Sequence, residues 1–131
     1  MALRHILSVL VTAASLAACS PSASTEKVVA TTAQLYYSYL VDGRYDDFVA
    51  GIDPHIPMSD SYREQLCANA RMFVAEQQER HGGISRVEVS DADVDEEHHA
   101  ANAFLLLCYG DSTSEQVVVP MVERDGVWLM R

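Results

Sequence analysis

The sequence predicts an α+β domain, three N-terminal helices packed on a four-stranded antiparallel sheet, from three observations. Between residues 28 and 81 the apolar residues recur at spacings of three and four, the period that gathers them on one helical face. Past Gly82-Gly83 the pattern changes to short apolar runs, among them Phe104 to Cys108, too brief for a helix of ordinary length. Turn-forming residues at Gly110-Asp111-Ser112 and Arg124-Asp125-Gly126 separate those runs at hairpin spacing, because glycine takes up positive φ at no steric cost.

The first residues read as an address rather than as part of the fold. Arg4 and His5 precede an apolar run from Ile6 to Leu16, which is too short to span a bilayer and has the layout of a secretory signal. It ends in Leu16-Ala17-Ala18-Cys19, which resembles the bacterial lipobox, where cleavage before the cysteine leaves a thiol that carries a diacylglyceryl group. The alternative is an ordinary secretory signal with an incidental cysteine. The expected division is a signal peptide at 1–18, a lipid-anchored flexible tether at 19–26 and a single domain at 27–131. Membrane attachment is then through the lipid on Cys19. In some Gram-negative lineages surface-bound lipoproteins resemble one another in carrying acidic residues just after that cysteine. Ser20 to Thr25 holds none, so the expected location is the periplasmic face of the outer membrane.

The formal net charge is −10, and loss of Arg4 with the leader removes one more positive charge. Such a surface repels phosphate backbones and anionic lipid, so no nucleic-acid partner is expected, and the charge serves solubility.

Within the domain, Val28, Val29, Ala33, Tyr36, Tyr37 and Leu40 define the first helix, closed by Asp42-Gly43. Tyr45, Phe48, Val49 and Ile52 define a second, short one over Arg44 to Ile52, and Pro54 and Pro57 then forbid regular helix. Ser59 or Ser61 is placed to cap the third, with Ser61 and Glu64 at capping-box spacing. Leu66, Cys67, Ala70, Phe73 and Val74 line one side of this long helix, the expected cover for the sheet. The first strand runs from Ile84 to Val89, and Asp91 to Glu97 reads as an acidic turn. Phe104 to Cys108 forms a central strand expected to be buried on both faces. Gln116 to Val122 and Val127 to Met130 complete a meander. Pro120 lacks a ladder donor, so its strand must bulge, bend or leave a position unpaired there. Trp128 reads as a packing residue.

Cys67 and Cys108 remain in the exported chain, in a compartment where disulfides persist. Closing a loop of that size is worth roughly 4 kcal/mol in the chain-entropy picture. Free thiols pack equally well as small apolar groups, and both outcomes stay open.

The stretches Tyr36 to Asp46, Gly82-Gly83-Ile84 and Glu123 to Trp128 resemble bacterial envelope lipoproteins of unknown function with a nuclear-transport-factor-2-like, or cystatin-like cone, domain. The likeness spans roughly residues 27 to 131. It implies a curved sheet wrapped around the long helix, with a cavity at its open end. It implies no activity, since the scaffold carries enzymes, ligand binders and interaction modules alike. Enzymes of that superfamily place a carboxylate base and a tyrosine, histidine or acid partner in the cone, and Tyr36, Tyr39, Asp46, Asp47 and His55 are the nearby set able to converge. The same tyrosines also read as core-to-rim aromatics and the aspartates as the polar face of a helix.

Asp91, Asp93 and Asp95 imitate the start of a calcium loop, but Glu96 stands where its glycine belongs and Asn102 where a bidentate carboxylate is required. His98 and His99 are adjacent and in a strand would point to opposite faces. No metal, cofactor or catalytic set is assigned. Phosphate-loop, Cys-x-x-Cys and nucleophile-elbow motifs do not occur. The expected function is a non-enzymatic, lipid-anchored envelope domain binding a small apolar ligand or an envelope protein. Acid–base catalysis in the cone and a homodimeric structural role through the open sheet face are the alternatives.

Overall fold

The computed structural model describes residues 21–131, with side chains from residue 25. Helices α1 (Pro21–Val41), α2 (Tyr45–Ala50) and α3 (Asp60–His81) precede strands β1 (Ile84–Asp95), β2 (Ala100–Tyr109), β3 (Ser114–Arg124) and β4 (Val127–Met130). The strands pair antiparallel in chain order, β1-β2-β3-β4. The segment read as a leader and Cys19 lie outside the described residues. Of the segment read as a tether, Pro21 to Glu26 is helical and continues into α1. Proline suits a first turn, where an amide hydrogen has no intrahelical acceptor.

Helix α1, not α3, covers the sheet, which corrects the sequence expectation. Val29 and Ala33 of α1 are fully buried in one cluster with Ala101, Ala103 and Leu105 of β2, Val119 and Met121 of β3, and Trp128 and Met130 of β4. Small alanines stand on both the helix and the strand side of this cluster, which suits a close approach of helix to sheet. Helix α3 buries only Ala70 and Gln77 and leaves Leu66, Phe73 and Val74 half-buried. It packs beside α1 and α2.

The strands alternate more strictly than their composition implies. Ala103, Leu105 and Leu107 are fully buried under the helix layer, whereas Phe104 and Leu106 on the opposite face are half-exposed; β2 is therefore not buried on both faces throughout. Strand β1 continues to Asp95, past a register shift between Val89 and Asp91. Beyond it Ala92 and Val94 are half-buried while Asp91, Asp93 and Asp95 are exposed. The acidic stretch is thus the solvated face of a strand, and the turn shrinks to residues 96–99. Pro120 stays in register opposite Asn102, without a bulge. Its carbonyl accepts from the Arg131 amide at 3.0 Å, beyond the end of β4, so the donor that proline lacks falls where the β3–β4 ladder runs out.

Local signals place the ends. Gly43 (φ 74°) closes α1; the Ser59 hydroxyl accepts from the Tyr62 amide at 3.2 Å, which makes Ser59 the cap of α3; left-handed Gly82 closes that helix. After α2, Met130 is bracketed by the Gly51 carbonyl, which accepts its amide at 2.8 Å, and the Asp53 amide, which donates to its carbonyl at 2.7 Å. The turn thereby covers the free edge of β4. The Tyr36 ring lies directly on Gly51, and its hydroxyl donates to the Trp128 carbonyl at 2.7 Å. A β-carbon at Gly51 would meet that ring at 2.6 Å. Gly51→Ala is therefore expected to destabilise the domain by about 1–3 kcal/mol, read from urea unfolding midpoints. An unchanged midpoint would contradict this seating of Tyr36.

Candidate functional site

The three helices diverge around a cavity of about 270 Å³. Tyr37 and Leu40 of α1, Phe48 and Val49 of α2, Ile52, and Leu66, Ala70 and Phe73 of α3 wall it, with Asn69 the one amide at its margin. Tyr37 and Phe48 meet edge to face, with ring centroids 5.7 Å apart and planes at 88°, a geometry that fixes one wall. Burial pushes the Tyr37 hydroxyl above its ordinary pKa, so it stays protonated. The Asn69 carbonyl oxygen accepts from Gln65 at 2.8 Å. The walls are otherwise hydrocarbon, because each helix turns its apolar stripe inward while α1's small residues go to the sheet.

The five residues singled out from the sequence do not converge on this cavity. Tyr36 packs on Gly51 at the β4 end. Tyr39 lies under the Arg44 guanidinium, 4.5 Å from its ring centroid. Asp47 accepts from Arg44 at 2.8 Å and is exposed. Asp46 is exposed and accepts the Cys67 thiol at 3.3 Å. His55 is largely exposed, with its backbone amide and Nδ1 each 3.1 Å from Asp53 Oδ1. An α2 of only six residues explains the scatter: its two aspartates share the solvent side while Phe48 and Val49 take the inner one.

Cys67 and Cys108 are both unbonded thiols in this structure. Cys67 sits on α3 facing α2, and Cys108 is buried on β2; with α3 displaced from the sheet, the two are not brought together. Partial burial and the Asp46 carboxylate both push the Cys67 thiol up, the opposite of what activates a cysteine nucleophile.

Two polar ties escaped the sequence reading. Asp53 is buried, and its Oδ2 accepts from Arg124 Nη2 at 3.0 Å, which joins the α2–α3 connection to the last hairpin. Arg124 first, and His55 after it, hold the Asp53 carboxyl down at about 2. At the other end of the sheet His81 stacks on Tyr109, 4.4 Å between centroids, and pairs with Asp111 at 2.9 Å. Thr113 and His81 hold Asp111 down at about 2. Burial, then Glu115, which accepts the Tyr109 hydroxyl at 2.8 Å, pushes that tyrosine up to about 12. The partners in both ties are remote in sequence, and no local spacing announces them.

No family model matches the sequence, and no curated protein matches it. Among solved structures, a crystal structure from Campylobacter jejuni, described on a provisional footing as an NTF2-like transpeptidase, aligns with a TM-score of 0.61. The alignment has 18% identity and covers 76% of this chain and 94% of that one. The likeness shows the fold: helices on a curved four-stranded antiparallel sheet of the NTF2-like type, a scaffold able to serve binding or catalysis.

The two depressed aspartates set an acid limit. Their folded pKa of about 2 lies below the unfolded 3.8, so their contribution is complete above that value and lost as pH falls toward 2. Wild-type urea midpoints are expected to drop between about pH 4 and pH 2, whereas Asp53→Asn should be weaker at neutral pH and flatter across that window. Parallel profiles for the two proteins would refute the assignment.

Proposed function

We propose that this chain is a lipid-anchored domain of the cell envelope whose helix-walled cavity binds a small apolar ligand. The observation that carries the reading is the cavity's composition: hydrocarbon walls, one protonated tyrosine and one amide at the margin, with Asp46 and Asp47 outside it on exposed α2 positions. Apolar walls with few polar groups are the ordinary chemistry of a small-molecule pocket, the polar atoms orienting what the walls hold. Acid–base work at this place needs a carboxylate shielded among apolar groups. Both aspartates face water and are held by Cys67 and Arg44 instead. The Campylobacter jejuni neighbour is described as a transpeptidase; a cysteine nucleophile for such chemistry needs activation, and the Cys67 thiol is pushed the other way.

Anchoring rests on Leu16-Ala17-Ala18-Cys19. Because α1 begins at Pro21, a lipid on Cys19 would sit close to the start of the helix that carries the sheet, holding the domain near the membrane surface, where apolar molecules partition. The periplasmic face of the outer membrane is the location this reading takes.

Titration with the uncharged fluorophore N-phenyl-1-naphthylamine is expected to give saturable enhancement with the wild type and none with Ala70→Phe, which fills the cavity. Joint replacement of Asp46 and Asp47 by Asn should leave the enhancement intact. Equal binding by a folded Ala70→Phe variant would remove the cavity from the reading. For the anchor, Cys19→Ala should move the protein from the membrane to the soluble fraction; unchanged fractionation would refute lipidation there.

A further inference from the structure

Strand β1 is an edge of the sheet, and among the described residues no backbone group pairs with its outer side. Arg86 and Glu88 stand opposite Cys108 and Leu106 of β2. Val87 turns its carbonyl outward, where Gln34 Nε2 donates to it at 2.9 Å. Backbone groups two residues apart in a strand face the same way, so Val89 presents its amide and carbonyl on that side too. Gln34 already occupies the place of a donor from an additional strand, and a carbonyl with two lone pairs accepts a second one.

Beside this edge an open groove of about 390 Å³ runs between α1 and β1, lined by Gln34, Leu35, Ser38 and Val87 among others. Leu35 in the groove is 49% exposed and Val89 on the strand 40% exposed. The other face of β1 is acidic and exposed over Glu88, Asp91, Asp93 and Asp95. Arg86 pairs with Glu88 and His98 with Asp95, which leaves Asp91 and Asp93 without a cationic partner among the described residues.

We propose that the β1 edge accepts an extended segment of a partner protein in which lysine or arginine alternates with small apolar residues. The partner's backbone would pair with Val87 and Val89. Successive side chains of an added strand fall on opposite faces: one set enters the groove against Leu35 and Val87, and the other meets the acidic face. Charge selects this occupant over a second copy of the chain. Two β1 edges side by side would bring acidic rows together, and like charges on neighbouring strands are destabilising. The same row that prevents self-pairing favours a basic strand. The register shift after Val89 ends the regular edge, so the added ladder is short, about five or six residues.

The test uses three synthetic hexapeptides: alternating lysine and valine, its isomer with the lysines grouped, and alternating glutamate and valine. Fluorescence anisotropy reads affinity, and amide hydrogen exchange by NMR reads position. The alternating lysine peptide is expected to bind and to slow exchange at Val87 and Val89, while the other two do not. E88K/D91K should lower its affinity by about tenfold or more, and L35K should lower it with the fold retained by circular dichroism. Absence of binding, equal binding of the grouped isomer, or binding without protection at Val87 and Val89 would each overturn the proposal. Concentration-dependent protection of those amides in the protein alone would overturn it in favour of self-pairing.

Discussion

The closeness of α1 to the sheet is the constraint from which the rest of the arrangement follows. Ala33 shares one buried cluster with Ala101 and Ala103, and Leu105, Met121 and Trp128 supply that cluster's bulk. Helix α1 lies on the sheet's covered face chiefly over β1 and β2, and its buried residues join the cluster that continues to β3 and β4. Helix α3 must then find its apolar contacts on α1 and α2, and its half-buried stripe shows how incomplete they are. The cavity between the three helices is the geometric remainder of that arrangement: three apolar stripes face one another with too little bulk to meet.

A domain with one close helix–sheet contact and a looser second layer needs its edges tied, and the ties are polar. Tyr36 reaches over Gly51 to the Trp128 carbonyl, Met130 is bracketed by Gly51 and Asp53, and Asp53 holds Arg124. These four contacts converge on one corner, where the end of α2 acts as an extra half-strand beside β4. The opposite corner is closed by His81 stacked on Tyr109, with Asp111 at its ring nitrogen. Both ties use carboxylates held ionised by neighbouring donors, so acid loosens the corners while the apolar contact between α1 and β2 is indifferent to pH.

What was legible in the sequence was what local chemistry dictates. The element order, the glycine stops at Gly43 and Gly82 and the turn at Asp125-Gly126 follow from φ preferences and periodicity, and they stand in the fold. The choice of covering helix was not legible, because α3 has the longer apolar stripe and α1 wins on side-chain size, a property of how two surfaces approach. The length of β1 was hidden for a related reason: three aspartates look like a turn until a register shift sets them on the solvent face, with Ala92 and Val94 beneath. Of the candidate site residues, the sequence placed Asp46 and Asp47 on a helix's polar face, and there they are; only tertiary contacts show that this face looks away from the cavity. Arg124 and Asp53 carried no local signal at all.

The distribution of charge then separates what each surface is able to do. A chain of net charge −10 keeps carboxylates out of its cavity and lays them along a strand edge and the outside of a short helix. In a low-dielectric cavity a lone carboxylate is costly unless a partner or a proton relieves it, and this chain offers neither there. Along an exposed edge the same groups are well solvated. The apolar interior between the helices and the acidic margin of β1 therefore differ in what they offer: the first is hydrocarbon, the second an unpaired strand edge beside negative charge. The two surfaces lie on different sides of α1, which among the described elements is the one that lines both.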